Sequence, residues 1–374
     1  MNDNEENEKS PIVIDNGTGF CKAGFGEEEG PRNIFSSIIG YPKNEECMFG
    51  ACYEDFFVGT DAEARKGILK FNYLIKRGIN IDWDDLEKLY SYIFTLLSVD
   101  SIEHNIMITE PIMNPKKNRE KLAQILFENF NVHGLYFEKQ PILSLYANAK
   151  FNGFAIDSGE GLTQFAPIWE GYSLAQGFMK LDLGGEDVTN YMLNLLNDNG
   201  ANFSTNDDNN EKKIVEDIKE KACYVAFDFE DELKSCKPYK YELPDGNQII
   251  IEKQRIKCTE LLFQPSNIGK KGDGLPKICY DLIQKCNINV KKDLYNTIYL
   301  CGGNTMFEGF SERFKKEIED LVPESMKKEV KIIAPTDRKF STWIGGSILS
   351  TLSTFKSKWI TKEDYEENGS KIIK

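Results

Sequence analysis

Histidine is nearly absent from this chain, which has only His104 and His133. Neither adjoins a serine or cysteine in a nucleophile setting, which argues against a histidine-dependent triad and a histidine-rich metal site. The nine cysteines (Cys21, Cys47, Cys52, Cys223, Cys236, Cys258, Cys279, Cys286 and Cys301) include no C-x-x-C pair. Their odd number and scatter predict reduced thiols rather than a disulfide framework or a zinc site. No apolar run approaches the ~20 residues needed to span a bilayer, so no membrane insertion is expected. The polar, acidic start Met1–Ser10 does not read as a secretory leader. Acidic residues outnumber basic ones, 60 to 46. The net charge is −14, which argues against nucleic-acid binding and against docking on anionic lipid. A G-x-x-x-x-G-K-[ST] loop is missing, so the chain is not a P-loop enzyme.

The 374 residues are enough for two or three domains, and a 40% hydrophobic fraction is enough to bury substantial cores. Strand-like and helix-like stretches alternate, which predicts an α/β protein. Pro11–Asp15 reads as a strand entering a glycine-rich turn, with Cys21–Phe25 as the return strand. Helices are predicted over Asn114–Phe130, with Asn114 as cap and Pro115 at the first helical position, over Ile214–Ala226, and over Ser311–Leu321. Ile298–Cys301 followed by Gly302 and Gly303 reads as strand, turn and then the last of these helices. Asn197–Lys213 and Gly269–Gly274 read as exposed loops.

The most informative feature is an internal echo. Residues 14–20 read I-D-N-G-T-G-F and residues 156–162 read I-D-S-G-E-G-L, about 140 positions apart. Each follows an apolar run and precedes a second strand-like run, which suggests two related α/β halves that each open with a hairpin. Glycine permits positive φ and close backbone approach to a ligand, and successive N–H groups in such a turn can form a nest for phosphate oxygens. An aspartate at the strand end repels phosphate but suits a hydrated Mg²⁺ that bridges to it. Lys22 can reach back as a point charge. The plain alternative is a pair of tight hairpin turns with no ligand. For Gly302–Gly303 the alternative is close packing of a helix on a strand.

Taken together, IVIDNGTGFCKAGF and AIDSGEGLTQFAPIWEGY resemble the two phosphate loops of actin and the actin-related proteins. NPKKNREKLAQILFENFNV, QPILSLYANAK, LDLGGEDVTNYM, IVEDIKEKACYVAFDFE, CGGNTMF and RKFSTWIGGSILSTLSTFKSKWI resemble further stretches of that family, in its order, over residues 11–369. The resemblance implies a two-lobed α/β fold of two duplicated domains with a nucleotide cleft between them. It implies four subdomains: 1–36 with 74–147 and 341–374; 37–73; 148–183 with 271–340; and 184–270. ATP or ADP with Mg²⁺ is the implied cofactor. Asp15 and Asp157 would hold the metal through water, while Gly17, Thr18, Gly19, Phe20 and Lys22 would hold the β-phosphate side. Ser158, Gly159, Glu160 and Gly161 would form the second loop. Gly185, Lys219, Glu220, Gly303, Met306, Phe307 and Lys339 match the family's ribose and adenine contacts. Gln140 matches the glutamine that positions the attacking water, with Gln164 beside it.

Several positions depart from the family. Gln164 and Arg77 stand where histidines are usual, and Glu160 replaces an aspartate. The tip of the Pro42–Asp61 loop diverges, PSNIGKK is less apolar than the family's lateral plug at Ser266–Gly272, and the ending differs from the usual Cys-Phe tail. The expectation is an actin-like cytoskeletal protein, a divergent actin or a centractin-like actin-related protein. It would bind and slowly hydrolyse ATP and assemble with itself or with actin, with Trp343–Ser357 as a further contact region. The alternative is a nucleotide-bound structural subunit of a larger complex. A small-molecule kinase has only fold-level analogy behind it. Actin-binding proteins are expected partners, the acidic leader Asp3–Glu8 meeting basic ones, and the expected location is the cytoplasmic cytoskeleton with the nucleus as an alternative.

Overall fold

The computed structural model describes residues 9–43, 55–174, 176–200 and 208–373. The leader Asp3–Glu8 and the tip of the Pro42–Asp61 segment lie outside the described residues. The chain divides into two compact units, Met1–Lys150 with Phe340–Lys374 and Phe151–Lys339. No described helix is long and apolar enough to cross a membrane.

The first unit is built on a six-stranded sheet. Its order is Ile360–Thr361, Gly134–Lys139, Asn105–Glu110, Ile12–Asn16, Phe20–Phe25, Asn33–Ser36. Ile12, Val13 and Ile14 are all fully buried. A strand covered on both faces needs such a continuous apolar run rather than an alternation. Ile12–Asn16 pairs antiparallel with Phe20–Phe25 and parallel with Asn105–Glu110. The Ser341–Thr351 helix, from the far end of the chain, closes over this sheet. The Trp343 indole donates to the Val13 carbonyl at 3.0 Å. Gly345 brings the helix against Gln140–Tyr146 backbone to backbone, since a Cβ there would lie 1.8 Å from the Leu143 carbonyl oxygen. Ser144 and Thr342 share a buried hydroxyl contact at 3.0 Å beside it. Pro141 opens the Gln140–Tyr146 helix, where its missing N–H costs nothing.

The second unit repeats the plan. Gly153–Ser158 pairs antiparallel with Thr163–Trp169 and parallel with Ile298–Cys301, which in turn pairs parallel with Ile332–Ile333. Phe154, Ala155 and Ile156 are fully buried. The core also takes in Val188, Ile218, Phe310 and Phe314 from the surrounding helices. Within it, Arg313 pairs with Glu260 at 3.0 Å, donates to the Ala226 carbonyl at 2.8 Å and lies over the Phe263 ring.

Several expected boundaries shift. The first predicted helix is regular only over Lys116–Gln124, with a wider turn over Ile125–Asn129. Pro115 stands at the cap position, and the Asn114 amide bonds back to Glu110 at 3.0 Å instead of capping. The second helix is Asp208–Ala222, so it begins inside the stretch read as a loop and ends before Val225. Polarity alone hid that start: a first turn rich in Asn and Asp reads in sequence the same as a loop. The third is Phe310–Leu321.

Two outcomes test this packing. Gly345→Ala should destabilise the first unit by about 1–3 kcal/mol in urea unfolding, because the two helix backbones must separate. Burial pushes the Glu260 carboxyl from 4.5 up to about 7, outweighing the opposing pull of Arg313. An acid whose pKa rises on folding binds its proton more tightly in the native state, so stability falls as pH rises through that window. Urea midpoints of the wild type should therefore decline between about pH 4.5 and about pH 7 with a slope that Glu260→Gln reduces.

Candidate functional site

Each unit presents one aspartate-ended hairpin, and the two are built alike. In the first, Asp15 faces Lys22 across the antiparallel pair, and in the second Asp157 faces Gln164. Both partners reach back to the aspartate. Lys22 Nζ donates to Asp15 Oδ2 at 2.7 Å and Gln164 Nε2 to Asp157 Oδ2 at 3.1 Å. The turns close identically, Gly17 N on the Phe20 carbonyl and Gly159 N on the Leu162 carbonyl, both at 3.0 Å.

The first loop is held from three sides. Ser37 donates from its hydroxyl to the Gly17 carbonyl at 2.8 Å and from its backbone to the Gly19 carbonyl at 3.0 Å. Gly78 N donates to Thr18 Oγ1 at 3.1 Å. Gly78 and Arg77 both have positive φ, the signature of a tight primed hairpin turn. Asp15 is 3% exposed. Its Oδ1 accepts from the Thr109 hydroxyl at 2.5 Å and from Gln140 Nε2 at 3.3 Å, and Gln140 also touches Thr109 Oγ1 at 3.4 Å. The structure thus brings Asp15, Lys22 and Gln140 into one cluster. Phe20 turns outward, half exposed. Burial, with Asp15 adding to it, pushes the neighbouring Cys21 thiol far up, so it stays protonated.

The second loop is clasped by three glycines. Gly302 has φ +85°, and a Cβ there would lie 2.3 Å from the Ser158 carbonyl oxygen and 2.7 Å from Asp157 Oδ1. A Cβ at Gly184 would meet the Glu160 carbonyl at 2.4 Å, and one at Gly185 the Glu160 carboxylate at 2.3 Å. Gly185 N and Glu186 N, in the first turn of the Gly185–Asp198 helix, donate to the Gly159 and Glu160 carbonyls at 3.0 and 2.9 Å. Asn304 Nδ2 bonds Ser158 Oγ at 3.1 Å and the Gly159 carbonyl at 2.9 Å. Ser158 is fully buried, its hydroxyl shared with Thr163 at 2.8 Å. Gly161 is buried in the same loop. Lys219 is buried too, donating to Thr189 Oγ1 at 2.9 Å and the Gly185 carbonyl at 3.4 Å, with Glu160 at 3.7 Å. Burial raises the Glu160 carboxyl above its ordinary value, and Lys219 partly offsets that.

The remaining expected residues lie at the surface of the second unit or near it. Glu220 and Lys339 are exposed. Gly303, where a Cβ would meet nothing within 4 Å, begins the short turn Gly303–Met306. Phe307 packs partly buried against the core. Arg338 fixes this region through Thr305 Oγ1 at 3.1 Å and the Thr305 carbonyl at 2.6 Å.

One expectation needs correction. None of Gly17, Gly19, Gly159 and Gly161 is among the described glycines with positive φ. Positive φ is found instead at Gly78, beside the first loop, and at Gly302, on the strand end adjoining the second, where φ and space both demand glycine. Sequence reasoning also missed Thr109, Ser37, Gly184 and Asn304. Gly184, adjacent to Gly185 in LDLGGEDVTNYM, and Asn304, adjacent to Gly303 in CGGNTMF, carried a visible signal. Among the described residues no three His, Cys, Asp or Glu cluster as a metal site, and none of the seven described cysteines is in a disulfide.

Two units, each with an aspartate-ended glycine hairpin beside a parallel strand, define an α/β protein of actin-like fold. A family model described as Actin matches residues 6–374, and the chain belongs to that family. The fold of this family generally binds ATP or ADP with a divalent cation.

Thr109→Val should cost about 1–3 kcal/mol in urea unfolding, because it leaves a buried carboxylate oxygen short of a donor. Thr109→Ser should cost less, since the hydroxyl is retained.

Proposed function

We propose that the protein binds Mg-ATP through its two glycine loops, hydrolyses it slowly and assembles with itself or with actin. The matched register of the hairpins is the observation that supports this most: Asp15 opposite Lys22, Asp157 opposite Gln164. Two turns without a ligand have no need for a carboxylate at the same register position in both.

The residues fit the cofactor. Asp15 is already engaged by Lys22, Thr109 and Gln140, so a cation would meet it through its water shell, as Mg²⁺ favours. Beside Asp157, glycine at 302 keeps the space next to Oδ1 clear of a side chain, and Gly303 is open. When bound, Mg²⁺ supplies charge that offsets the phosphate oxygens. The chain's own part is placement. Lys22 brings a cation to the first loop, and Gln140 is oriented by its amide contacts with Asp15 and Thr109 so that its carbonyl side can hold a water. A neutral amide orients water but is a weak base, so turnover is slow. Gln164 keeps a hydrogen bond to Asp157 without titrating, so the rate has no histidine step near neutral pH.

The proposed setting is the cytoplasmic cytoskeleton, with actin-binding proteins as partners. The second reading, a nucleotide-bound structural subunit of a larger complex, is favoured by one observation: Lys270 of the Ser266–Gly272 segment turns onto its own unit.

High-speed pelleting in Mg-ATP over a concentration series tests the proposal. A sharp critical concentration is expected, and Gln140→Ala should slow phosphate release by about 10²-fold while ATP affinity is retained. Protein that stays in the supernatant while binding ATP would favour the structural subunit. No ATP binding at all would overturn both readings.

A further inference from the structure

We propose that Lys270 is a latch that ties the Pro265–Gly272 segment to the second glycine loop, so that the two open and close as one linked equilibrium. The ammonium group bonds the Asp182 carbonyl and Asp187 Oδ1, the latter at 2.8 Å. Asp187 is 8% exposed, so the carboxylate end of this pair is shielded from water, while the Lys270 side chain is 35% exposed. Its other oxygen, Oδ2, accepts from Gly184 N at 2.9 Å and caps the Gly185–Asp198 helix. The next two N–H groups of that helix turn, on Gly185 and Glu186, hold the Gly159 and Glu160 carbonyls. One carboxylate therefore links Lys270 to the cap, and the cap carries the second loop.

The segment is built to move if the latch is released. Gly269 and Gly272 flank Lys270 with φ +72° and +131°, and a Cβ at either would meet nothing within 4 Å. Besides Lys270, Pro265 is buried and Ile268 is partly buried against the core. A cavity of about 270 Å³ lies here, with Met179, Leu181, Leu183, Pro265 and Leu282 among its lining and Lys270 at its edge. Releasing the lysine would remove one polar wall of that cavity and leave Asp187 without its cation. Linkage then requires reciprocity: whatever steadies the second loop steadies the latch, and the reverse. The nucleotide side of this link rests on the function proposed above; the latch itself does not.

Amide hydrogen exchange on the full-length protein without nucleotide tests the latch. In Lys270→Met, exchange should rise about tenfold at residues 266–272 and also at Gly184, Gly185 and Glu186, with the Ile12–Asn16 strand unchanged. Lys270→Arg should restore most of the protection. Unchanged exchange in Lys270→Met overturns the latch. Faster exchange confined to residues 266–272 overturns the coupling. A second measurement adds Mg-ATP. Exchange at residues 266–272 should slow in the wild type and respond less in Lys270→Met, and a nucleotide that binds without slowing the wild-type segment also overturns the coupling. Absence of nucleotide binding counts against the proposed function, and the nucleotide-free comparison still decides the latch.

Discussion

The first unit depends on a carboxylate held almost entirely out of water. Asp15 follows the fully buried apolar run Ile12–Ile14 and is 3% exposed. A buried charge is tolerated only when it is paired and hydrogen-bonded. Lys22 supplies the countercharge, and the Thr109 hydroxyl and the Gln140 amide supply donors. Each comes from a different element: the return strand, the adjacent parallel strand and the Gln140–Tyr146 helix. The carboxylate's need for partners thus fixes how three elements meet, and the backbone contact at Gly345 and the Trp343 bond to Val13 hold that arrangement from behind.

The second unit solves the same problem with less charge. Asp157 is less buried and its register partner is a neutral amide. Shape takes over where charge is missing. Gly184, Gly185 and Gly302 let backbone and side chains close on the loop at distances no Cβ permits. A buried cation of this unit, Lys219, stands behind the loop rather than across the hairpin. The two loops are duplicates in register and differ in what steadies them.

Much of this is legible in the sequence, for local reasons. Aspartate followed by N-G or S-G after an apolar triplet specifies a buried strand running into a tight turn, and the echo between residues 14–20 and 156–162 specifies that it happens twice. Strand Ile298–Cys301 with its glycine turn is legible in the same way. The support for the site is not. Thr109 reaches Asp15 across 94 positions and Asn304 reaches Ser158 across 146. Those contacts follow from which strands lie side by side in a parallel sheet, and no residue pattern near Thr109 or Asn304 states that. Lys270 shows a further limit. A lysine in a glycine-rich polar stretch reads as surface charge, and its four-carbon stem decides the direction only once Asp182 and Asp187 are in place. The positive φ expected of Gly17, Gly19, Gly159 and Gly161 is not adopted, because φ is a property of the folded turn.

The discontinuity of the first unit bears on how the protein is made. Trp343 and Gly345 belong to a segment translated only after the roughly 190 residues of the second unit. At about 5–20 residues per second, that is a delay of roughly 10–40 s on the ribosome. Throughout that time Val13 and Met107, which pack against Trp343 in the finished protein, lack their cover, and so does the backbone of Leu143 that Gly345 seals. The nascent first half is thus a sheet with one apolar face waiting for its lid, the kind of intermediate that aggregates at cellular concentrations. The second unit, contiguous in sequence, has no such wait.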